Sequence, residues 1–535
     1  MKFSNFILYY NTLKHLKGIQ IRYQLLMRIR QCFKVNIDPD QHASSASLKL
    51  HQWIDKPLSF SGTSFCFLNQ ELALTDENNP WYFKGYGKLW SYNLHYMDYL
   101  LQADMTKERG LLLIEDYIKH VSPESPGLEP YPISLRGINW IKFCTKHDLR
   151  SSVIDNTLYS HYQILSKKLE FHLLGNHLLE NAFSLLYGGL YFGSPNFFNR
   201  AKNILEEELK TQILSDGGHF ERSPMYHQIL LDRLLDCINL LQNNTVFKDE
   251  QPALLTVMQV NARNMLNWLN AMTFENGEIP MLNDSAPAIA PPTRELNNYA
   301  TGLKLVSEPF TNGKFHLALN DSGYRRFNSS LYECIVDVGE IGPDFQPGHA
   351  HADTLSFVLQ HRHQPFIVDT GVSTYEKNER RSCERGTSSH NTVQFEDKDS
   401  SEVWGGFRVG RRARILSLQE NNSRIIARHD GYKHYGFIHE RAFQFTENRI
   451  EITDENAAKG GLKLTARIHL HPDVKCTPEG NRIDCEGIQL EFTGHSSLKI
   501  AEFMFAAQFN RLIPSRMIEI TFDKQLKTII SFKPQ

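Results

Sequence analysis

The feature that most constrains this chain is a change of hydrophobic period near residue 310. Between about residues 88 and 275 apolar side chains recur at helical spacing, in segments divided by Gly, Pro or Asn. The spacing predicts helices over Trp90–Ala103, Glu108–His120, Leu135–His147, Asn156–Leu174, His177–Phe192, Phe197–Ile213, Pro224–Leu241 and Ala253–Met272. A succession of helices with almost no strand signal implies an all-α unit, its hairpins stacked around a ring or arc. After about residue 314 the pattern turns into short alternating runs, from Leu331–Val338 to Lys527–Phe532. Such runs, joined by turns, imply an antiparallel β-sandwich or curved multi-sheet domain. The Pro/Ala-rich stretch from Ser285 to about residue 310 reads as a linker. The expected division is a lead-in over 1–84, a helical domain over 85–310 and a β domain over 311–535, with the natural ligand site in the cleft between them.

Charge and cysteine usage narrow the function classes. With 58 Lys and Arg against 60 Asp and Glu, the chain has no global basic field for nucleic acid. Eight scattered cysteines without a CxxC pair argue against thiolate zinc sites and a disulfide framework. Cys476 and Cys485 flank a turn and are able to pair in an oxidising compartment, but free buried thiols are the expectation. No apolar run reaches the ~18–20 residues of a membrane span, and the start of the chain lacks the core and cleavage site of a secretory signal. A cytoplasmic protein, or one peripheral to the inner membrane, is therefore expected. From Met1 to Ile37 there is no acidic residue, while Lys2, Lys14, Lys17, Arg22, Arg28, Arg30 and Lys34 are basic and interleaved with apolar residues at roughly helical spacing. This segment reads either as a helix packed on its own domain with a solvated basic face, the preferred reading, or as an amphipathic helix on anionic lipid or a partner.

Chemistry concentrates in the β half, at Gly348-His-Ala-His-Ala-Asp353, Val368-Asp369-Thr-Gly371 and Ser388-Ser-His390-Asn-Thr392. Neutral imidazoles with a carboxylate form a familiar set for a divalent ion, Zn first and Mn or Ca as alternatives. Hydrogen bonds that merely bridge loops are the competing account. On an extended segment His349 and His351 share a face, yet one is free to bind metal while the other meets substrate. In the helical half, Gly175-Asn176-His177 and Asp216-Gly-Gly-His219-Phe-Glu221-Arg222-Ser-Pro224-Met-Tyr226-His227 open predicted helices. Each is also an ordinary helix start with capping residues. Arg136, Asn139 and Trp140 share one helical face that suits an acidic sugar, although a packed Trp fits as well.

The order of these motifs resembles the heparinase II/III family of polysaccharide lyases. Asn176-His177 comes first, then Tyr226 in Ser-Pro-x-Tyr-His, then Gly-His-x-His-x-Asp, Val-Asp-x-Gly and His-Asn-Thr. The resemblance spans roughly residues 85–420 and implies an N-terminal (α/α) toroid, often incomplete, followed by an antiparallel β-sandwich. It also implies β-elimination on a uronic-acid polysaccharide: a base removes the C5 proton and the C4–O bond breaks. Donors must then stabilise the enolate-like charge beside the carboxylate. By resemblance, Asn176 and His177 neutralise the carboxylate, Tyr226 is base, acid or both, and His349 assists. His351, Asp369 and His390 match the metal ligands, and Tyr375 stands where relatives carry a sugar-contacting tyrosine. Arg136 and Trp140 are further expected substrate contacts. An acidic exopolysaccharide or capsule glycan is a more plausible substrate than heparin, and the family context suggests the periplasm or cell envelope.

Two alternatives share the fold: a C5 uronyl epimerase, which reprotonates the opposite face without cleavage, and a non-catalytic glycan-binding or assembly protein. A glycoside hydrolase is disfavoured, because Asp216 and Glu221 read as helix-start polar groups and no separated carboxylate pair stands out.

Overall fold

The computed structural model describes residues 3–30, 45–75, 79–122, 125–306, 315–456 and 463–533. Lys2, Lys34 and Cys32, one of the eight cysteines, lie outside them. Helices come first: α1 (Phe3–Leu13), α2 (Gly18–Arg30), α3 (Gly87–Tyr96), α4 (Lys107–His120), α5 (Pro130–Lys146), α6 (Ser152–Lys167), α7 (Gly175–Tyr191), α8 (Pro195–Gln212), α9 (Pro224–Asn243), α10 (Gln251–Met272) and α11 (Thr293–Gly302). A short helix, α12 (Glu379–Arg385), is set among the strands of the β half.

The toroid follows from which helices are apolar on more than one face. α3, α5, α7 and α9 pack side by side in an arc, with α4, α6, α8 and α10 outside. α7 is apolar almost all round, and every one of its residues except His177 is buried. α8, by contrast, is strongly amphipathic and buries one stripe, including Phe197, Ala201, Leu205 and Leu209. α6 ends at Lys167 rather than Leu174, and the turn that follows brings Glu170 back beside His177. The expected linker is a second difference. Residues 285–306 carry α11, whose Leu296, Tyr299 and Ala300 are buried in the toroid core, so this stretch completes the helical layer.

The β half is a sandwich in which the smaller sheet faces both ways. Strands 316–319, 324–328, 332–337, 357–361 and 364–367 form a five-stranded antiparallel sheet in chain order. On one face Leu319, Tyr324, Ile335 and Val358 join the toroid core. On the other, Phe327, Cys334, Val336 and Phe357 pack into the larger sheet, where the Phe327 and Phe445 rings stack at 3.7 Å. With both faces covered, strand 332–337 is buried at every position. The larger sheet is built around the long hairpin 488–508/511–532. The described cysteines are free thiols.

One buried ion pair ties the larger sheet to the loops that carry the site. Asp454 accepts from Arg441 Nε and His439 Nε2, both at 2.7 Å, and Arg441 Nη1 donates to the carbonyls of Leu355 at 2.8 Å and Asn391 at 2.7 Å. Burial alone would raise the Asp454 carboxyl, but Arg441 and His439 hold it down to about 2. The unfolded chain titrates this group near 3.8. Its contribution is therefore complete above that value and is lost as pH falls through about 2, a linkage of about 2 kcal/mol. Asp454→Asn should remove that part of the acid dependence of unfolding measured in urea. Asp454→Ala, which leaves Arg441 buried and unpaired, should cost about 3–5 kcal/mol.

Candidate active site

The N-terminal ends of the inner helices face the sandwich, and the candidate site lies where they meet. α9 begins with Ser223, whose Oγ accepts from Tyr226 N at 3.2 Å, and with Pro224 in the first turn. Ser223 Oγ also donates to Asp284 O at 2.7 Å, which fixes the start of α9 to the segment Asn283-Asp284-Ser285. α7 begins at Gly175, with φ +58° and no side-chain cap. A Cβ there would run into Gln346 and Glu221, so the close approach of the two halves requires glycine. Glu221 acts in place of a cap: its carboxylate accepts from Asn176 N at 3.1 Å and from Asn176 Nδ2 at 2.9 Å, at the positive end of α7. Burial would raise Glu221, but His219, His349 and the Asn176 donors keep it below the usual carboxylate range.

The expected catalytic residues converge. The Tyr226 and His349 rings lie 3.9 Å apart, tilted by 33°, and Asn176 Nδ2 stands 3.3 Å from His349 Nε2. His177 is next along α7. Its Nδ1 meets Glu170 Oε1 at 3.1 Å and its ring lies 4.5 Å from that of Tyr131. Burial would lower His177, but the Glu170 carboxylate outweighs it and raises the imidazole above its ordinary value. Tyr226 is raised by burial, by Asp284 and by Glu221, against the opposing effect of Arg381. It is therefore a neutral phenol that holds its proton. Tyr375 joins the group, with its ring 6.3 Å from that of His349 and 4.9 Å from the Arg381 guanidinium.

The residue that organises this cluster is Asp284, on the segment expected to lead into a linker. Its Oδ2 meets His349 Nδ1 at 2.9 Å, its Oδ1 meets His351 Nε2 at 2.9 Å, and Arg381 binds both oxygens, Nη2 at 2.7 Å from Oδ2. The carboxylate is fully buried. Arg381, His349 and His351 overcome the burial cost and hold it well below the usual range. An ionised carboxylate only accepts, so the protons sit on His349 Nδ1 and His351 Nε2. His349 Nε2 and His351 Nδ1 are left with their lone pairs. Sequence spacing signals neither Asp284 nor Arg381, and Glu221 had read as a helix-start polar group.

His351, Asp369 and His390 lie behind the cleft. His390 Nδ1 is 2.7 Å from Asp369 Oδ2, and the His351 and His390 rings are 5.3 Å apart. His351 Nδ1, His390 Nε2 and Asp353 Oδ2 are buried without a hydrogen-bond partner. Burial would lower His390, but Asp369, Asp353 and Asp399 raise it to about 9. Orphaned imidazole nitrogens beside carboxylates are donor types suited to a divalent ion, although the ligand atoms of His351, Asp369 and His390 are not gathered within 4.8 Å of one another. A different group, Glu275, Glu333 and His363, has donor atoms within 4.8 Å of one another at the surface, where Arg326 already pairs with Glu333.

Two expected substrate contacts are corrected. Arg136 and Trp140 are both fully buried inside the toroid wall. Arg136 Nη1 donates to the carbonyls of His95 and Gly127, each at 3.0 Å, and the guanidinium lies 4.9 Å from the Tyr117 ring. Trp140 packs edge-on against Tyr117. The face that they share with Asn139 points into the core, because α5 is buried almost all round and helical spacing alone does not say which face meets solvent.

The chain is a two-part protein, a helical toroid followed by an antiparallel sandwich, with its candidate site between them. It belongs to the heparinase II/III family: the heparinase II/III N-terminus matches residues 139–308 and the heparinase II/III-like C-terminal domain matches residues 313–533. Over 326 residues it is 23% identical to a heparin-sulfate lyase of Pedobacter heparinus, covering 56% of this chain and 46% of that protein. A heparin-sulfate lyase of Bacteroides stercoris is 24% identical over 319 residues, 54% of this chain and 45% of the relative. These matches span under half the length of either relative. A crystal structure of heparinase III superposes with a TM-score of 0.71 at 16% identity, covering 86% of this chain and 80% of that one, which establishes a common fold.

The corrected placement of Trp140 has a measurable consequence. Trp140→Ala should lower unfolding stability in urea by about 3–5 kcal/mol, while any affinity for acidic oligosaccharide, measured by calorimetry on the folded variant, stays unchanged.

Proposed function

We propose that this protein is a polysaccharide lyase that cleaves a uronic-acid-containing glycan by β-elimination. The observation that carries the reading is the meeting of Tyr226, from the toroid, with His349, from the sandwich, at 3.9 Å between rings and beside Asn176. With Nδ1 protonated toward Asp284, His349 presents Nε2 as the base for the C5 proton. The electron pair released at C5 forms the C4–C5 double bond as the C4–O bond breaks. Tyr226, kept neutral by burial and by Asp284, gives its proton to the departing oxygen. Asn176, now donating toward His349 Nε2, and His177, raised by Glu170, supply a donor and positive charge to the substrate carboxylate as negative charge develops.

We take the substrate to be a carboxylate sugar with little sulfate, such as a bacterial capsular or exopolysaccharide, rather than heparin. Supporting this reading, Arg381 is committed to Asp284 and Arg233 is buried 3.7 Å from Glu180, while exposed Lys88 acts on His177 beside the cleft. An epimerase needs proton donor and acceptor on opposite faces of the sugar. Tyr226 and His349 stand side by side, which favours elimination.

His351, Asp369 and His390 are the residues that would hold a divalent ion, Zn first by donor type, with Mn or Ca as alternatives. Such an ion, when bound, supplies positive charge and cross-links the loops bearing His349 and Asp369. We expect about one equivalent of divalent metal per chain by elemental analysis, lost in His390→Ala.

The deciding assay presents a panel of acidic polysaccharides and follows ultraviolet absorbance and product mass. An unsaturated product supports the reading. Chain-intact product carrying solvent deuterium at C5 assigns an epimerase instead. Tyr226→Phe should lower kcat by about 10³-fold, and wild-type turnover in that variant would falsify the assignment of Tyr226. Asp284→Asn, which loses the acceptor fixing the His349 tautomer, should lower kcat by about 100-fold with little change in KM.

A further inference from the structure

The N-terminal helical pair leaves apolar surface uncovered in a way the rest of the molecule does not. Twenty large apolar side chains are exposed among the described residues, and eight of them fall between Phe6 and Leu25. On α1, Phe6, Tyr10 and Leu13 recur at i, i+4 and i+7, with Phe6 and Tyr10 more than 60% exposed. On α2, Ile21 and Leu25 form a second such row. A soluble surface rarely concentrates apolar side chains in this manner without an occupant.

The opposite sides of the two helices show that the pair is seated on the protein. Trp404 Nε1 donates to Thr12 Oγ1 at 3.1 Å, and the Tyr9 and Trp404 rings lie 5.0 Å apart. The Tyr23 ring lies 4.7 Å from Phe171, and Lys17 Nζ sits 3.7 Å from the Phe345 ring centroid. Gln20 Nε2 donates to Leu173 O at 3.4 Å and to Phe345 O at 3.1 Å, joining the turn before Asn176 to the loop before His349. The apolar rows are therefore carried by a pair held against both halves, close to the mouth of the candidate site.

Charge identifies the occupant. From Met1 to Ile37 the chain has seven Lys and Arg and no Asp or Glu, and Lys14 and Arg22 are exposed beside the apolar rows. Apolar ridges flanked by exposed Lys14 and Arg22 match an anionic lipid surface, where side chains enter the acyl boundary and lysine or arginine meets headgroups. No helix among the described residues is long and apolar enough to cross a membrane, so contact of these helices would be interfacial. We infer that α1 and α2 form an interfacial docking element for anionic membrane, which seats the cleft at the lipid surface. A second copy of the chain covering the same rows is the competing occupant, but it would bring two wholly basic segments together.

The test is vesicle flotation of the full chain, which needs no turnover and so stands apart from the lyase reading. Vesicles of phosphatidylcholine alone are compared with equimolar phosphatidylcholine and phosphatidylglycerol. Binding confined to the anionic vesicles and reversed by high salt is expected. Phe6→Glu with Tyr10→Glu, and separately Lys14→Glu with Arg22→Glu, should each reduce the bound fraction about tenfold or more. Circular dichroism serves to confirm that both variants stay folded. Absence of binding, or binding that ignores lipid charge and both variants, overturns the inference. So does a dimer in light scattering that Phe6→Glu dissolves while vesicles are left unbound.

Discussion

The buried carboxylate of Asp284 is the interaction on which the rest of the site depends. It stands at the seam, tied to the start of α9 by Ser223, and takes hydrogen bonds from His349, His351 and Arg381, all from the sandwich half. A charge removed from water so completely is costly unless every lone pair is satisfied. Here a bidentate guanidinium and two imidazoles do so, and in return the carboxylate sets the tautomer of both histidines. One buried group thus joins two domains and leaves one imidazole nitrogen toward the cleft and another toward the pocket of Asp369 and His390.

Around that anchor, supporting contacts are graded in depth. Glu221 orients Asn176 through both backbone and side chain, while α12 holds the loop after His349 through Arg385 and the Ala350 carbonyl at 2.8 Å. Deeper still, Arg441, paired with Asp454, donates to the carbonyls of Leu355 and Asn391 from within the larger sheet. Groups that must be placed to within a fraction of an ångström are therefore carried on loops whose backbones are tied to rigid layers on both sides. The five-stranded sheet transmits this order, because one face is part of the toroid core and the other part of the sandwich core.

The relation between the site and the N-terminal helices is equally mechanical. Gln20 reaches the backbone on either side of the cleft, at Leu173 and Phe345, so a segment far from the motifs of the candidate site in sequence is their neighbour in space. A docking element attached in this way would orient the cleft as well as retain the protein at a surface.

Hydrophobic period determined the two-part architecture by itself, since a 3.6-residue repeat cannot bury one face of a strand nor a two-residue repeat one stripe of a helix. The strand runs from Leu331–Val338 to Lys527–Phe532 were legible for that reason, whereas Asn176, His177, Tyr226 and His349 were legible through the motif order that carries the family resemblance. Tertiary structure decided what periodicity cannot encode. Asp284 and Arg381 are 97 residues apart and meet only because the halves pack together. Arg136 and Trp140 lie on a face that is polar enough to suggest a ligand but turns inward, since α5 is enclosed by its neighbours. Local spacing fixes which side chains share a face. Only the packing of the layers decides whether that face meets water, core or a catalytic partner.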